Sequence, residues 1–175
     1  EGKPRVSYAA SFGTKEWRED QNAAEASRML KKFKAISVRE ESGVKLVETL
    51  SGRTDAKCLL DPTLLQNAAF YNEIIAKSGI RRDKVNKPYV FNYILDEWSN
   101  VSEMQTALGT VKDKLNISKV VTDRRHAQGL LGLLCRVLRV KAKIKVPEWL
   151  EAIAASEFVF TNSFHGTVFS ILFHK

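Results

Sequence analysis

The most informative run of the chain is FVFTNSFHGTVFSIL, at residues 158–172. Its apolar start at 158–160 predicts a buried strand, and a polar turn at 161–163 leads into an apolar helix that begins near His165. In α/β proteins, anionic ligands bind where the carboxyl end of a strand feeds a helix, because unpaired backbone N–H groups and the helix dipole attract negative charge there. The run therefore predicts a parallel α/β fold and a candidate site at the same place.

Two residues of this run are candidates for chemistry. Histidine titrates near neutral pH, so His165 at the start of the helix is suited to accept or donate a proton. Gly166 has no side chain and would let the backbone come close to a ligand. The structural alternative makes Ser163 an ordinary helix cap and His165 an exposed residue of the first turn.

Strand-like and helical segments alternate along the whole chain, which predicts parallel βαβ architecture. The predicted strands lie at residues 5–10, 35–38, 57–60, 89–95 and 119–122, and the predicted helices include 21–34, 42–50, 66–77, 128–138 and one that Pro147 starts. We expect residues 1–80 to close one Rossmann-like domain, 81–88 to form a linker, and 89–175 to begin a second domain. Both ends of the sequence look cut, so we expect a fragment of a longer protein.

The charge balance favours anionic partners. Lys and Arg number 28 against 20 Asp and Glu, which gives a net charge of +8. Phosphorylated small molecules, anionic lipid surfaces and nucleic acids all fit such a charge. Nucleic acid is disfavoured because no known binding motif is visible and the aromatic residues occupy core-like positions away from the lysine-rich runs. These residues are Phe158, Phe160, Phe164, Phe169 and Phe173.

The two cysteines, Cys58 and Cys135, have apolar neighbours and no metal-ligand spacing. Their apolar neighbours predict buried thiols in a reducing compartment, and hence a cytoplasmic protein. The lack of metal-ligand spacing predicts no metal site. No apolar leader segment is visible at the start of the sequence.

The segment at residues 128–146 has two interpretations. An apolar stretch too short to span a bilayer is followed by alternating basic residues, which could dock peripherally on the inner leaflet of the membrane. Alternatively, it is a core helix followed by an edge strand whose lysines block unwanted pairing. The period-two charge pattern favours the second interpretation.

Three further residues follow predicted strands. Arg39 could hold a carboxylate or phosphate, or it could form a structural ion pair with a neighbouring acid such as Glu40, Glu41 or Asp61. Ser11 and Gly13 fit a close ligand approach and fit an ordinary turn equally well. Asp61, which precedes Pro62, is interpreted as a turn-stabilising residue.

Four motifs in register resemble the polysaccharide pyruvyl transferase family, in its bacterial form. They are SYAASFG at 7–13, ISVREESG at 36–43, LDPTLL at 60–65 and TNSFHGTVFSILF at 161–173. The resemblance spans nearly the whole chain and implies a glycosyltransferase-B-like fold of two Rossmann-like domains, here truncated. Ser163 stands where a yeast-type branch of the family carries arginine.

The activity implied by the resemblance is transfer of a pyruvyl group from phosphoenolpyruvate, without a cofactor, to two hydroxyls of a sugar. The product is a pyruvate ketal on an exopolysaccharide or its lipid-linked precursor. The resemblance associates Arg39 with the substrate site. For this reaction we expect His165 to be the acid/base and Arg39 and Ser163 to be anion contacts, with Gly166, Ser11 and Gly13 at the substrate site. Two alternatives remain: a glycosyltransferase of the same fold that uses a sugar nucleotide, and a non-catalytic binding domain.

Overall fold

The protein consists of two compact units, Glu1–Gln66 and Asn67–Lys175. The computed structural model describes residues 2–18, 22–80, 88–95, 101–122 and 144–175. Each unit contains a three-stranded sheet in which all the paired strands are parallel. The predicted α/β class with parallel, Rossmann-like sheets is confirmed, whereas the glycosyltransferase-B-like arrangement of two such domains stays a prediction.

The first unit has its strands in the spatial order β1-β2-β3. Its elements are β1 (Val6–Ala10), α1 (Ala23–Leu30), β2 (Ala35–Val38), α2 (Glu41–Ser51), β3 (Lys57–Cys58) and a 3-10 helix (Pro62–Leu65). Ile36 and Val38 of β2 pack with Val47 of α2 to form its core. Gly43 permits this packing, because a Cβ there would lie 3.1 Å from the Cβ of Val38.

Helix α1 is shorter than the predicted helix at 21–34. Asn22 caps its start by accepting the N–H of Glu25 at 3.0 Å. At the other end, the guanidinium of Arg53 donates to the carbonyls of Leu30 and Phe33. Because those carbonyls are bound by a side chain from elsewhere in the chain, the backbone can leave the helix and enter β2.

The second unit has the strand order β5-β4-β6. Its elements are α3 (Ala68–Lys77), β4 (Tyr89–Tyr93), α4 (Val101–Leu115), β5 (Lys119–Thr122), α5 (Val146–Ala154), β6 (Phe158–Thr161) and α6 (Phe164–Leu172). Strand β4 is central, and its last residue pairs with the last residue of β6, Tyr93 with Thr161. The ends of β4 and β6 therefore open at the same edge of the sheet.

The core of the second unit includes one face of β4 and parts of three helices. Phe91 is fully buried among Tyr71 of α3, Ile153 of α5 and Phe169 of α6. The rings of Tyr71 and Phe169 meet edge to face at 4.8 Å. Helix α3 lies in the second compact unit, because its apolar face packs into this core. The domain bounds predicted from the sequence stay a prediction. The predicted linker falls largely on residues 81–87, outside the described residues.

Two expectations about burial are wrong. Cys58 is exposed rather than buried, because β3 is a two-residue strand at the outer side of its sheet. Phe164, assigned to a core-like position, is 43% exposed, whereas Phe169 and Phe173 are buried. Cys135 lies outside the described residues.

The segment at 128–146 is described only from Ile144, and Val146 already begins α5 rather than ending a strand. The choice between its two interpretations therefore stays open. Across the described ranges, no helix has both the length and the apolar composition that crossing a membrane requires.

Candidate functional site

The turn between β6 and α6 is held together by its own polar side chains. Ser163 is the N-cap of α6, and its Oγ accepts the N–H of Gly166 at 3.2 Å. The N–H of Ser163 in turn donates to Oγ1 of Thr161 at 3.0 Å. With only 4% of its surface exposed, Ser163 caps the helix, as the structural alternative predicted. Its predicted contact with an anion stays a prediction.

Gly166 is required by the packing of this turn. A Cβ at this position would overlap Oγ1 of Thr161 and would lie 3.1 Å from the Cβ of Thr161. The space that a side chain would need is therefore filled by the end of β6. The sequence suggested a close approach to a ligand, whereas the structure places another part of the protein against Gly166.

Asn162, which was not among the predicted site residues, links two loops at the edge of the sheet. Its Oδ1 accepts the backbone N–H of Leu95, which follows β4, at 2.9 Å. A polar residue directly after a predicted strand was the available signal in the sequence. Its partner could not be found that way, because it lies 67 residues earlier in the chain.

His165 lies in the first turn of α6, beyond the carboxyl end of β6, and its side chain is exposed. The ring of Phe164 meets the imidazole edge to face, with the ring centres 5.2 Å apart. The sequence predicted His165 at the start of this helix and proposed it as the group that transfers protons, and that role stays a prediction. His165 is exposed to solvent, so a small molecule could reach its ring.

Arg39 follows β2 and forms two ion pairs within the first unit. Its Nε lies 2.8 Å from Oε1 of Glu40, and its Nη1 lies 3.1 Å from Oδ2 of Asp61. Burial opposes the positive charge, but the hydrogen bonds to both carboxylates outweigh it and raise the pKa of Arg39 above its usual value. These contacts match the structural alternative, and a phosphate or carboxylate ligand would have to compete with them.

Asp61 organises the chain after β3. It is 6% exposed, and its Oδ1 accepts the N–H and the hydroxyl of Thr63 at 3.0 and 2.7 Å. These bonds cap the 3-10 helix that Pro62 begins, so the interpretation of Asp61 as a turn-stabilising residue agrees with its contacts. Through Arg39, Asp61 also connects the loops that follow β2 and β3.

Ser11 and Gly13 form a local turn after β1. The N–H of Gly13 donates to Oγ of Ser11 at 3.0 Å, and Gly13 has the left-handed φ of +71° that glycine tolerates. Both residues are exposed. Nearby, the N–H of Arg39 donates to the carbonyl of Ala10 at 3.0 Å, so this turn and Arg39 lie at the same end of the first sheet.

The predicted site residues thus form two groups. Ser163, His165 and Gly166 lie together in the second unit, and Ser11, Gly13 and Arg39 lie at the carboxyl end of the sheet in the first. An open cavity of about 330 Å³ in the second unit contains none of them; it lies beside the end of α6 and is partly lined by Asn72 and His174. Within the described ranges, no group of three or more His, Cys, Asp or Glu side chains could hold a metal ion.

Comparison with known proteins gives one match. A family model described as "Polysaccharide pyruvyl transferase" matches residues 1–175, the whole chain. No curated protein and no solved structure matches.

Proposed function

The chain belongs to the polysaccharide pyruvyl transferase family, and on that premise we propose that it transfers a pyruvyl group from phosphoenolpyruvate to a pair of sugar hydroxyls. The family assignment makes it a transferase of polysaccharide synthesis with a saccharide acceptor. The donor and the ketal product are the proposed part. The observation that carries them is the exposed imidazole of His165 on a turn braced by three side-chain-to-backbone hydrogen bonds.

The reaction begins with protonation of the methylene carbon of phosphoenolpyruvate, which leaves a cationic centre at C2. One sugar hydroxyl adds to C2 and loses its proton. The C2–O bond to phosphate then breaks, and the bonding electrons leave with the phosphate. A second hydroxyl adds to the cation that results and loses its proton, which closes the ketal. The residues must therefore supply a proton carrier and stabilise an anion.

His165 is the proposed proton carrier. Histidine changes its charge near neutral pH, so one side chain can donate a proton to carbon and later accept one from a hydroxyl. Its place at the amino end of α6 sets it beside backbone dipoles that favour a bound anion. The rigid turn holds the ring in place before the substrate arrives, which lowers the entropy cost of reaction.

Arg39, in the first unit, is also proposed as an anion contact. Its guanidinium already contacts two carboxylates, so the donor would exchange with, or add to, the contacts made by Glu40 and Asp61. An arginine that keeps such partners is held in one orientation, which favours recognition of a planar carboxylate or a phosphate. The lipid-linked acceptor implied by the family resemblance, and the peripheral membrane contact suggested by the sequence at residues 128–146, remain part of the proposal.

The test is a titration of phosphoenolpyruvate into the wild-type chain and the variants His165→Ala and Arg39→Ala. We expect saturable binding that both substitutions weaken. His174→Ala is the matched control, because His174 is also exposed but follows the far end of α6. It should bind as the wild type does.

A sugar nucleotide is titrated in parallel as the competing ligand. Binding of the sugar nucleotide without any binding of phosphoenolpyruvate would overturn pyruvyl transfer and favour a glycosyltransferase. Equal weakening by His174→Ala and His165→Ala would show that the ligand does not recognise the turn at the start of α6.

A further inference from the structure

The turn that carries His165 is tied to the neighbouring strand by the side chain of Asn162. Tyr93 and Thr161 are the last residues of β4 and β6 that pair. Beyond that pair, Oδ1 of Asn162, one residue after Thr161, accepts the N–H of Leu95, two residues after Tyr93, at 2.9 Å. The amide side chain therefore continues the connection between the two strands after the backbone ladder has ended.

The other polar side chains of the turn act differently. Thr161 and Ser163 bind backbone N–H groups of the turn itself. They fix its internal shape, and Asn162 fixes where that shape lies relative to β4. His165 follows Asn162 by three residues, so a displacement of the turn at Asn162 also displaces the imidazole.

We infer that Asn162 is a positioning residue, which holds the imidazole of His165 in register with the end of β4 for reaction with the donor. This inference rests on the proposed function. A small displacement of a catalytic group from the substrate strongly lowers the rate of the reaction, whereas the contacts of the folded core survive. Loss of the Asn162 amide should therefore weaken ligand binding more than it weakens folding.

The experiment compares Asn162→Ala with Asn67→Ala. Asn67 is a close match, because its Oδ1 also accepts a backbone N–H in the same unit, that of Phe70 at 3.1 Å. Asn67 caps α3 and is not part of the turn before His165. We expect Asn162→Ala to weaken phosphoenolpyruvate binding by about tenfold, because the displaced imidazole no longer meets the donor in the working geometry. Asn67→Ala should leave the affinity unchanged.

A double-mutant cycle shows whether Asn162 acts through His165. If it does, Asn162→Ala should weaken binding in the wild type and have no further effect in His165→Ala. An equal loss in both backgrounds would overturn the inference, because Asn162 would then act on the ligand independently. Equal affinities of Asn162→Ala and Asn67→Ala would overturn it as well.

Two measurements without ligand separate this inference from the proposed function. Asn162→Ala should speed amide hydrogen exchange at Leu95, and Asn162→Asp should restore protection because it keeps an acceptor oxygen. The ring signals of His165 in NMR spectra should shift in Asn162→Ala and not in Asn67→Ala. If the wild type binds no phosphoenolpyruvate, the proposed function fails, and the ring signals still decide the inference: unchanged signals in both variants would refute it.

Discussion

Replacing Gly166 with alanine would force a methyl group into the side chain of Thr161. The new Cβ would overlap Oγ1 and lie 3.0 Å from Cγ2 and 3.1 Å from Cβ of Thr161. Rotation about χ1 of Thr161 would not remove the contact with its Cβ, because that atom does not move in the rotation. The same rotation would also break the hydrogen bond from the N–H of Ser163 to Oγ1 of Thr161.

The magnitude follows from two opposing effects. Overpacking a close contact costs about 1–3 kcal/mol, and replacing glycine by alanine inside a helix recovers about 0.5–1 kcal/mol of backbone entropy. We therefore expect Gly166→Ala to lower the free energy of unfolding by about 1 kcal/mol, within the range of about 0–2.5 kcal/mol that the two effects leave. For a chain of this length, about 1 kcal/mol corresponds to a fall in Tm of about 2–4 °C.

Thermal and urea unfolding of Gly166→Ala are compared with those of Gly109→Ala. Gly109 also lies within a helix of the second unit, α4, but a Cβ there would meet no atom of the described residues within 4 Å. Gly109→Ala should therefore be stabilising, by about 0.5–1 kcal/mol. Opposite signs for two chemically identical substitutions would isolate the contact with Thr161 as the cause.

A second background tests the same contact directly. In Thr161→Ala, most of the obstructing atoms are gone, so Gly166→Ala should cost clearly less there than in the wild type. If Gly166→Ala were as stable as the wild type and lost ligand binding alone, the packing argument would be refuted. Gly166 would then be needed for a ligand to approach the backbone.

Two further predictions concern charge and protonation. Asp61→Asn should lower the free energy of unfolding by about 1–3 kcal/mol, since the carboxylate that pairs with Arg39 is buried, with 6% of its side chain exposed. Asp55→Asn should change it little, because the carboxylate that pairs with Arg53 is 58% exposed; equal effects in urea unfolding would contradict this. Burial and the charge of Glu151 raise the pKa of Tyr89 to about 12. The folded state thus holds this proton more tightly than the unfolded state, so the stabilisation is complete below about pH 10 and is lost as the pH rises toward 12. Tyr89→Phe should remove this alkaline loss in unfolding curves measured at increasing pH, and an unchanged pH dependence would show that Tyr89 does not cause it.

Local sequence patterns determined the type of most elements. The bounds predicted for the strands at 35–38 and 119–122 agree with β2 and β5. Short apolar runs between polar segments are a local signal for strands. Three of the four residues of β2 are buried, whereas β5 is only partly buried. The cap at Ser163 was also visible in the sequence, since serine before an apolar helical run is a local signal.

Contacts between distant residues were not visible in this way. Helix α3 has an apolar face that fits either unit on pattern alone, and only packing against β4 and α5 assigned it to the second. The early end of α1 depends on Arg53, which binds the carbonyls of Leu30 and Phe33 from 23 and 20 residues away. Tertiary contacts of this kind override local propensity, and local patterns do not contain them.

By itself, the sequence determined the family, the alternation of strands and helices, and the placement of His165 at the start of a helix. All three follow from residue type and short-range spacing. Only the tertiary structure decided that Gly166 accommodates Thr161, that Asn162 binds Leu95, and that Arg39 pairs with Asp61. Each of these is a contact between atoms that only the folded chain brings together, and their distances decide which side chains hold the site and which are exposed to a substrate.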